Sequence, residues 1–108
     1  MGGAVIVVTN EAEWDRSLED AGDRAVVVDF HAVWCGPCKM IAPSFEAFST
    51  EFSNVVFLKV DVDVAQKVAE QCNVSAMPTF QVYKNKTKVA ELIGASKEKL
   101  YALIKQYN

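Results

Sequence analysis

The apolar residues of this chain fall into short runs and helical stripes that alternate along its length. Val5 to Val8 is an apolar run of strand length. Asn10, with Glu13 three residues on, resembles a capping box, and Trp14, Leu18 and Ala21 then mark one helical face that stops near Gly22. Ala25 to Ala32 is short, β-branched and bounded by polar residues, which predicts a buried strand. Ile41, Phe45, Phe48 and Phe52 then recur at spacings of four, three and four, the stripe of a long helix. Pro43 lies inside that helix and should kink it. Val55 to Val60 is a third strand, and Val64, Ala65, Val68, Ala69 and Cys72 give a short third helix. Thr79 to Lys84 and Lys88 to Ile93 read as a hairpin joined by Asn85-Lys86-Thr87. Ser96 caps a last helix that turns Leu100, Leu103, Ile104 and Tyr107 inward.

The order β-α-β-α-β-α-β-β-α predicts an α/β protein. The strands that alternate with helices should be parallel, and the closing hairpin must be antiparallel. The expectation is a central mixed five-stranded sheet flanked by four helices. A chain of 108 residues suits one domain, 1–108, and an apolar content of 51% is enough for a core without disulfide staples. A net charge of -3, without a basic cluster, argues against a nucleic-acid partner. No apolar run is long enough to cross a membrane. Met1-Gly2-Gly3-Ala4-Val5 lacks the charged start and long apolar stretch of a signal peptide, and Ile6 stands where a myristoylation motif needs Ser or Thr. These features predict a cytoplasmic protein.

The chemistry is concentrated in Trp34-Cys35-Gly36-Pro37-Cys38, where a strand hands over to a helix N-terminus. A helix N-terminus has orphan N–H donors and partial positive charge, which favour an anion such as a thiolate. Cys35 should therefore have a lowered pKa and act as a nucleophile, and Cys38, one turn on, is close enough to close a disulfide with it. Three cysteines with one close pair look redox-active rather than structural. A tetrahedral zinc site competes for the pair, but it needs four ligands and nothing in the spacing brings His31 and Cys72 to it. No metal is expected. Covalent haem is excluded because Lys39 stands where that motif needs His.

Trp34-Cys35-Gly36-Pro37-Cys38-Lys39 resembles the active site of the thioredoxin family. Met77-Pro78-Thr79 is similar to that family's cis-proline loop, Val28-Asp29-Phe30 to its buried-aspartate strand, and Ile93-Gly94-Ala95 to the loop glycine beside its substrate groove. The four pieces occur in order from about the first strand to the last helix. Gly-Pro between the cysteines resembles the reducing members, whereas disulfide isomerases usually carry Gly-His there.

The resemblance implies the thioredoxin fold and a protein disulfide reductase. In it Cys35 attacks, Cys38 resolves the mixed disulfide, and Asp29 accepts the Cys38 proton. Burial should raise the Asp29 pKa, and Lys59, placed near it by the resemblance, would oppose that rise. Trp34, Gly36, Pro37, Ala76, Met77, Pro78, Gly94 and Ala95 would form the substrate surface, a shallow apolar rim suited to proteins. No cofactor would be bound beyond the Cys35–Cys38 disulfide itself; NADPH and FAD would act through a partner thioredoxin reductase. Other partners would be disulfide-containing proteins such as peroxiredoxins, and the chain would be a monomer. A non-catalytic subunit using the same groove, or an isomerase domain, are the rival readings. Cys72 is either a small core residue or a regulatory thiol. His31 departs from the family pattern. Alternation puts it on the Asp29 face, either as a protonated partner of that carboxylate or as a neutral ring filling space, and desolvation favours the neutral form.

Overall fold

The computed structural model describes residues 4–108. The reading of Met1-Gly2-Gly3 lies outside the described residues. The elements are β1 (Val5–Val8), α1 (Glu11–Ala21), β2 (Val26–His31), α2 (Gly36–Glu51), β3 (Val56–Asp61), α3 (Gln66–Gln71), β4 (Thr79–Lys84), β5 (Thr87–Ile93) and α4 (Lys97–Tyr107). One sheet runs in the order β1-β3-β2-β4-β5. β1 and β2 are parallel to β3, while β4 is antiparallel to β2 and β5 to β4. This is the mixed five-stranded sheet with four helices that the pattern predicts.

β2 is the middle strand, and every residue from Val26 to Phe30 is buried. A strand covered on both faces needs an apolar run rather than an alternation, and Val26-Val27-Val28 supplies it. Val26, Val28 and Phe30 face a core built with Trp14 and Leu18 of α1 and Val68 of α3. On the other face Val27 joins Ile41, Phe45, Phe48 and Phe52 from the α2 stripe, with Leu100 and Ile104 of α4. Phe45 is fully buried against Phe57 and Phe80, at centroid distances of 5.2 and 5.7 Å. Burying each such ring contributes roughly 1.5–3 kcal/mol. Asp29 alternates with Val28 and Phe30, so it is turned toward the α2 face.

Three local expectations change. The β4–β5 connection is a two-residue turn, because Thr87 already pairs with Lys84. Asn85 and Lys86 have φ of 51° and 67°, both positive as a type I′ turn requires. α3 starts at Gln66 rather than Val64, and Val64 is exposed. The Asp61 carboxylate accepts the Asp63 N–H at 2.9 Å, and its carbonyl accepts the Val64 and Ala65 N–H groups, so this segment is spent on a turn. The start of α1 is capped by Asn10 Oδ1, which accepts the Glu13 N–H at 2.8 Å. The Glu13 carboxylate reaches past Asn10 to accept the Thr9 N–H and hydroxyl. α2 continues through Pro43, and Ser96 caps α4 by accepting the Lys99 N–H at 3.2 Å. Leu100 and Ile104 are buried as expected; Leu103 and Tyr107 are half-buried.

Candidate active site

β2 ends at the carboxyl edge of the sheet, and Ala32 and Val33 lead from it to the start of α2. Cys35 is the N-cap of that helix, and its Sγ accepts the Cys38 N–H at 3.2 Å. Pro37 suits the first turn, since its fixed φ is already helical and its missing N–H would have had no helical partner. Cys35 and Cys38 are joined in a disulfide across a Cα–Cα distance of 5.3 Å. Both are buried in this oxidised pair, in a small cluster with Ala32, Val62 and Met77. Trp34 beside them is 65% exposed, and Gly36 and Pro37 are exposed.

Two loops from the far side of the sheet complete the rim. The Met77–Pro78 bond is cis, and the Met77 carbonyl oxygen lies 3.8 Å from Cys35 Sγ. Gly94 donates its N–H to the Pro78 carbonyl at 3.0 Å, which ties the end of β5 to the loop before β4. Gly94 has φ of 109°, a conformation in which a side chain would be strained. Ala76, Met77, Gly94 and Ala95 are half-buried, and Pro78 is buried.

Asp29 lies on β2, 1% exposed, with Oδ1 lacking a hydrogen-bond partner. Burial pushes its pKa up to about 7, against the pull of the Lys59 ammonium and with a push from Glu46. Lys59 stands opposite Asp29 in the β2–β3 register, so the expected opposition of the two effects is present. His31 is half-buried, and burial with the nearby Lys59 charge holds its pKa below the ordinary imidazole value despite Asp61. That favours the neutral ring. His31, Cys38, Lys39, Ala42 and Lys59 line a cleft of about 180 Å³ behind the disulfide.

Some of the surface escapes a reading by motif. Trp34 donates its indole N–H to Asp63 Oδ2 at 2.8 Å, and this holds the exposed ring in place. Asp63 follows β3, the parallel neighbour of β2, and loops after adjacent parallel strands gather at one edge of a sheet. That rule is the signal that points to it. Val33 and Val64 in the loops, and Ile93 at the end of β5, are exposed apolar residues around this edge.

Cys72 lies elsewhere. It is free, 6% exposed and packed in the α1-side core with Trp14 and Tyr83. Burial raises its pKa. Its carbonyl accepts from Gln81 Nε2 at 2.9 Å, while Tyr83 donates to Gln81 Oε1 at 2.7 Å, so the buried Gln81 amide is satisfied at both ends. In the reduced native protein, thiol reagents should therefore modify Cys72 only on unfolding. Labelling followed by mass spectrometry checks this, and rapid modification of Cys72 would revive the regulatory reading. Among the described residues, no group of three or more His, Cys, Asp or Glu is placed to hold a metal ion, and no helix is long and apolar enough to cross a membrane.

The sequence model of the Thioredoxin family matches residues 5–106. The chain is 51% identical to "Thioredoxin H-type" of Chlamydomonas reinhardtii, with 99% of this chain and 97% of that one covered. It is 52% identical to "Thioredoxin" of Homo sapiens, covering 92% and 94%. Its fold superposes on the crystal structure of thioredoxin NaTrxh from Nicotiana alata with a TM-score of 0.94 at 35% identity, covering 100% and 96%.

Proposed function

Because this chain belongs to the thioredoxin family and is a disulfide oxidoreductase working by dithiol–disulfide exchange, we propose a specific role for each residue of its site. Reduced Cys35 attacks a substrate disulfide, forming a mixed disulfide and expelling one substrate thiolate. Cys38 gives its proton to Asp29, attacks Cys35 Sγ and expels the second thiolate. Two electrons pass to the substrate, and the pair is left as the disulfide seen here. The observation that supports this division most is the Cys38 N–H aimed at Cys35 Sγ at the helix cap. A donor in that place favours negative charge on Cys35. Asp29, buried and with one carboxylate oxygen unpartnered, suits a base working near neutrality.

The apolar rim of Trp34, Ala76, Met77, Gly94 and Ala95 takes an extended segment of a protein substrate, and peroxiredoxins are one such class. Oxidised protein is recycled by a thioredoxin reductase, which supplies electrons from NADPH through FAD. The chain works as one domain, as a monomer and in the cytoplasm. An insulin reduction assay tests the reading: NADPH should be consumed only when this protein and a thioredoxin reductase are both present. Consumption that persists in Cys35→Ser would overturn it.

A further inference from the structure

Another cleft opens beside the disulfide, on the α3 side. Met77, whose carbonyl oxygen lies 3.8 Å from Cys35 Sγ, forms one wall of it, with Val62, Ala69 and Val74. Val62 and Met77 also pack against the Cys35–Cys38 cluster, so the cleft is continuous with the rim around the disulfide. Its volume is about 270 Å³. A small-molecule site has roughly 300–1,000 Å³, so this smaller space suits one long side chain of an extended segment.

Glu70 is the only charged residue among the described residues that line this cleft. It is exposed on α3, and its carboxylate has no hydrogen bond or ion pair among the described residues. Lys67, three residues earlier on α3, lines a different cleft with Thr9 and Asn10. Lys39 and Lys59 line the one behind the disulfide. The α3 cleft therefore has apolar walls where it meets the disulfide and one uncompensated carboxylate. Arginine and lysine match both features, because an apolar stem can lie along such walls while the charged head reaches an acceptor. A guanidinium can also meet a carboxylate with two parallel hydrogen bonds. An acidic side chain in the same place would be repelled.

We propose that Glu70 sets a substrate preference: the cleft between α3 and the Met77 loop takes an arginine or lysine lying within two residues of the attacked cysteine in an extended protein segment. An extended chain advances about 3.3 Å per residue, so long side chains at these positions stay within reach of the cleft. Glu70 touches no reacting atom and acts only by holding the substrate. The inference rests on the proposed substrate rim and on Cys35 as the attacking thiol.

The test uses peptides of one sequence whose single cysteine is blocked as a disulfide with thionitrobenzoate. Arg, Gln or Glu is placed in turn at each of the two positions on either side of that cysteine. Reduced protein mixed with each peptide liberates the coloured thiolate, and its rate at limiting peptide concentration is read by absorbance. At one position or more, Arg should react roughly three- to fivefold faster than Gln, the range of a partly exposed ion pair, and Glu slower than Gln. The Arg preference should shrink in high salt. In Glu70→Gln the Arg-to-Gln ratio should fall to about one, and in Glu70→Lys the order should reverse in favour of Glu. Asp23→Asn removes the same charge before β2, at the opposite edge of the sheet, and should keep the parent's preference. A parent protein with no preference for Arg overturns the proposal. So does a preference that survives in Glu70→Gln, or one that Asp23→Asn abolishes equally. Failure of the unaltered protein to liberate the thiolate from any peptide would instead overturn the underlying reading of the site.

Discussion

Reduced Cys38→Ser protein, mixed with a disulfide-containing protein, will accumulate as a covalent mixed disulfide, whereas Cys35→Ser will form none. Turnover will fall in both, on the order of 10³-fold or more. The asymmetry follows from where α2 begins. Cys35 is the N-cap, and the Cys38 N–H points at its sulfur at 3.2 Å. A helix N-terminus favours an anion by about 0.3–1 kcal/mol. A hydrogen bond to a charged group adds about 1.5–3 kcal/mol. The Cys38 sulfur is inside the first turn and has neither advantage. It can displace the substrate from Cys35 but is poorly placed to start the attack. Non-reducing electrophoresis with mass spectrometry of the trapped species checks the outcome. Trapping by Cys35→Ser, with none by Cys38→Ser, would reverse the roles and defeat the helix-terminus argument.

Asp29→Asn will slow release of the reduced substrate far more than the first attack, and it will stabilise the fold at neutral and higher pH. In the folded chain the carboxyl titrates at about 7, against 3.8 for an unperturbed aspartate. Near pH 3 the group is protonated in both folded and unfolded chains, and burial of its charge costs nothing. As pH rises past 4 the unfolded chain ionises while the folded one holds its proton, so stability falls steadily until about pH 7 and then levels off. The full penalty is at most about 4 kcal/mol, from 1.36 kcal/mol per pKa unit. Asparagine keeps the shape and cannot ionise, so the stability difference between variant and parent should grow from near zero at pH 4 to its maximum above pH 7. Guanidinium unfolding across that range measures it. A difference that does not depend on pH would mean that Asp29 is not the buried, proton-holding group described here. Equal slowing of attack and release would argue against its role as the base for Cys38.

Much of this fold is legible in the chain because its signals are local. The four-three-four spacing of Ile41, Phe45, Phe48 and Phe52 is a property of one helix, and all four side chains are buried where that stripe points. The run through β2 is apolar enough to be central, and Asp29 stands out within it as a carboxylate that must be buried. The cysteine pair and its helix cap are likewise read within five residues. Errors of boundary arise where two local rules compete. Val64 fits the apolar stripe of α3, but Asp61 uses the following N–H groups for a turn and leaves Val64 in solvent. Thr87 looks like a loop residue, but the two-residue turn at Asn85 and Lys86 makes it a strand partner of Lys84.

By itself the sequence determined the elements, their parallel and antiparallel senses, and the chemistry of Cys35 and Cys38, because backbone periodicity and helix capping act over a few residues. Only the tertiary structure decided what surrounds that chemistry. It set Asp63 under the Trp34 indole, the Met77 carbonyl against Cys35, the Gly94 N–H on Pro78, and Gln81 between Cys72 and Tyr83. It also joined His31, Cys38 and Lys59 around one cleft. These contacts bring together strands and loops far apart in the chain, and their distances depend on the packing of the whole sheet against its helices. No periodicity encodes them.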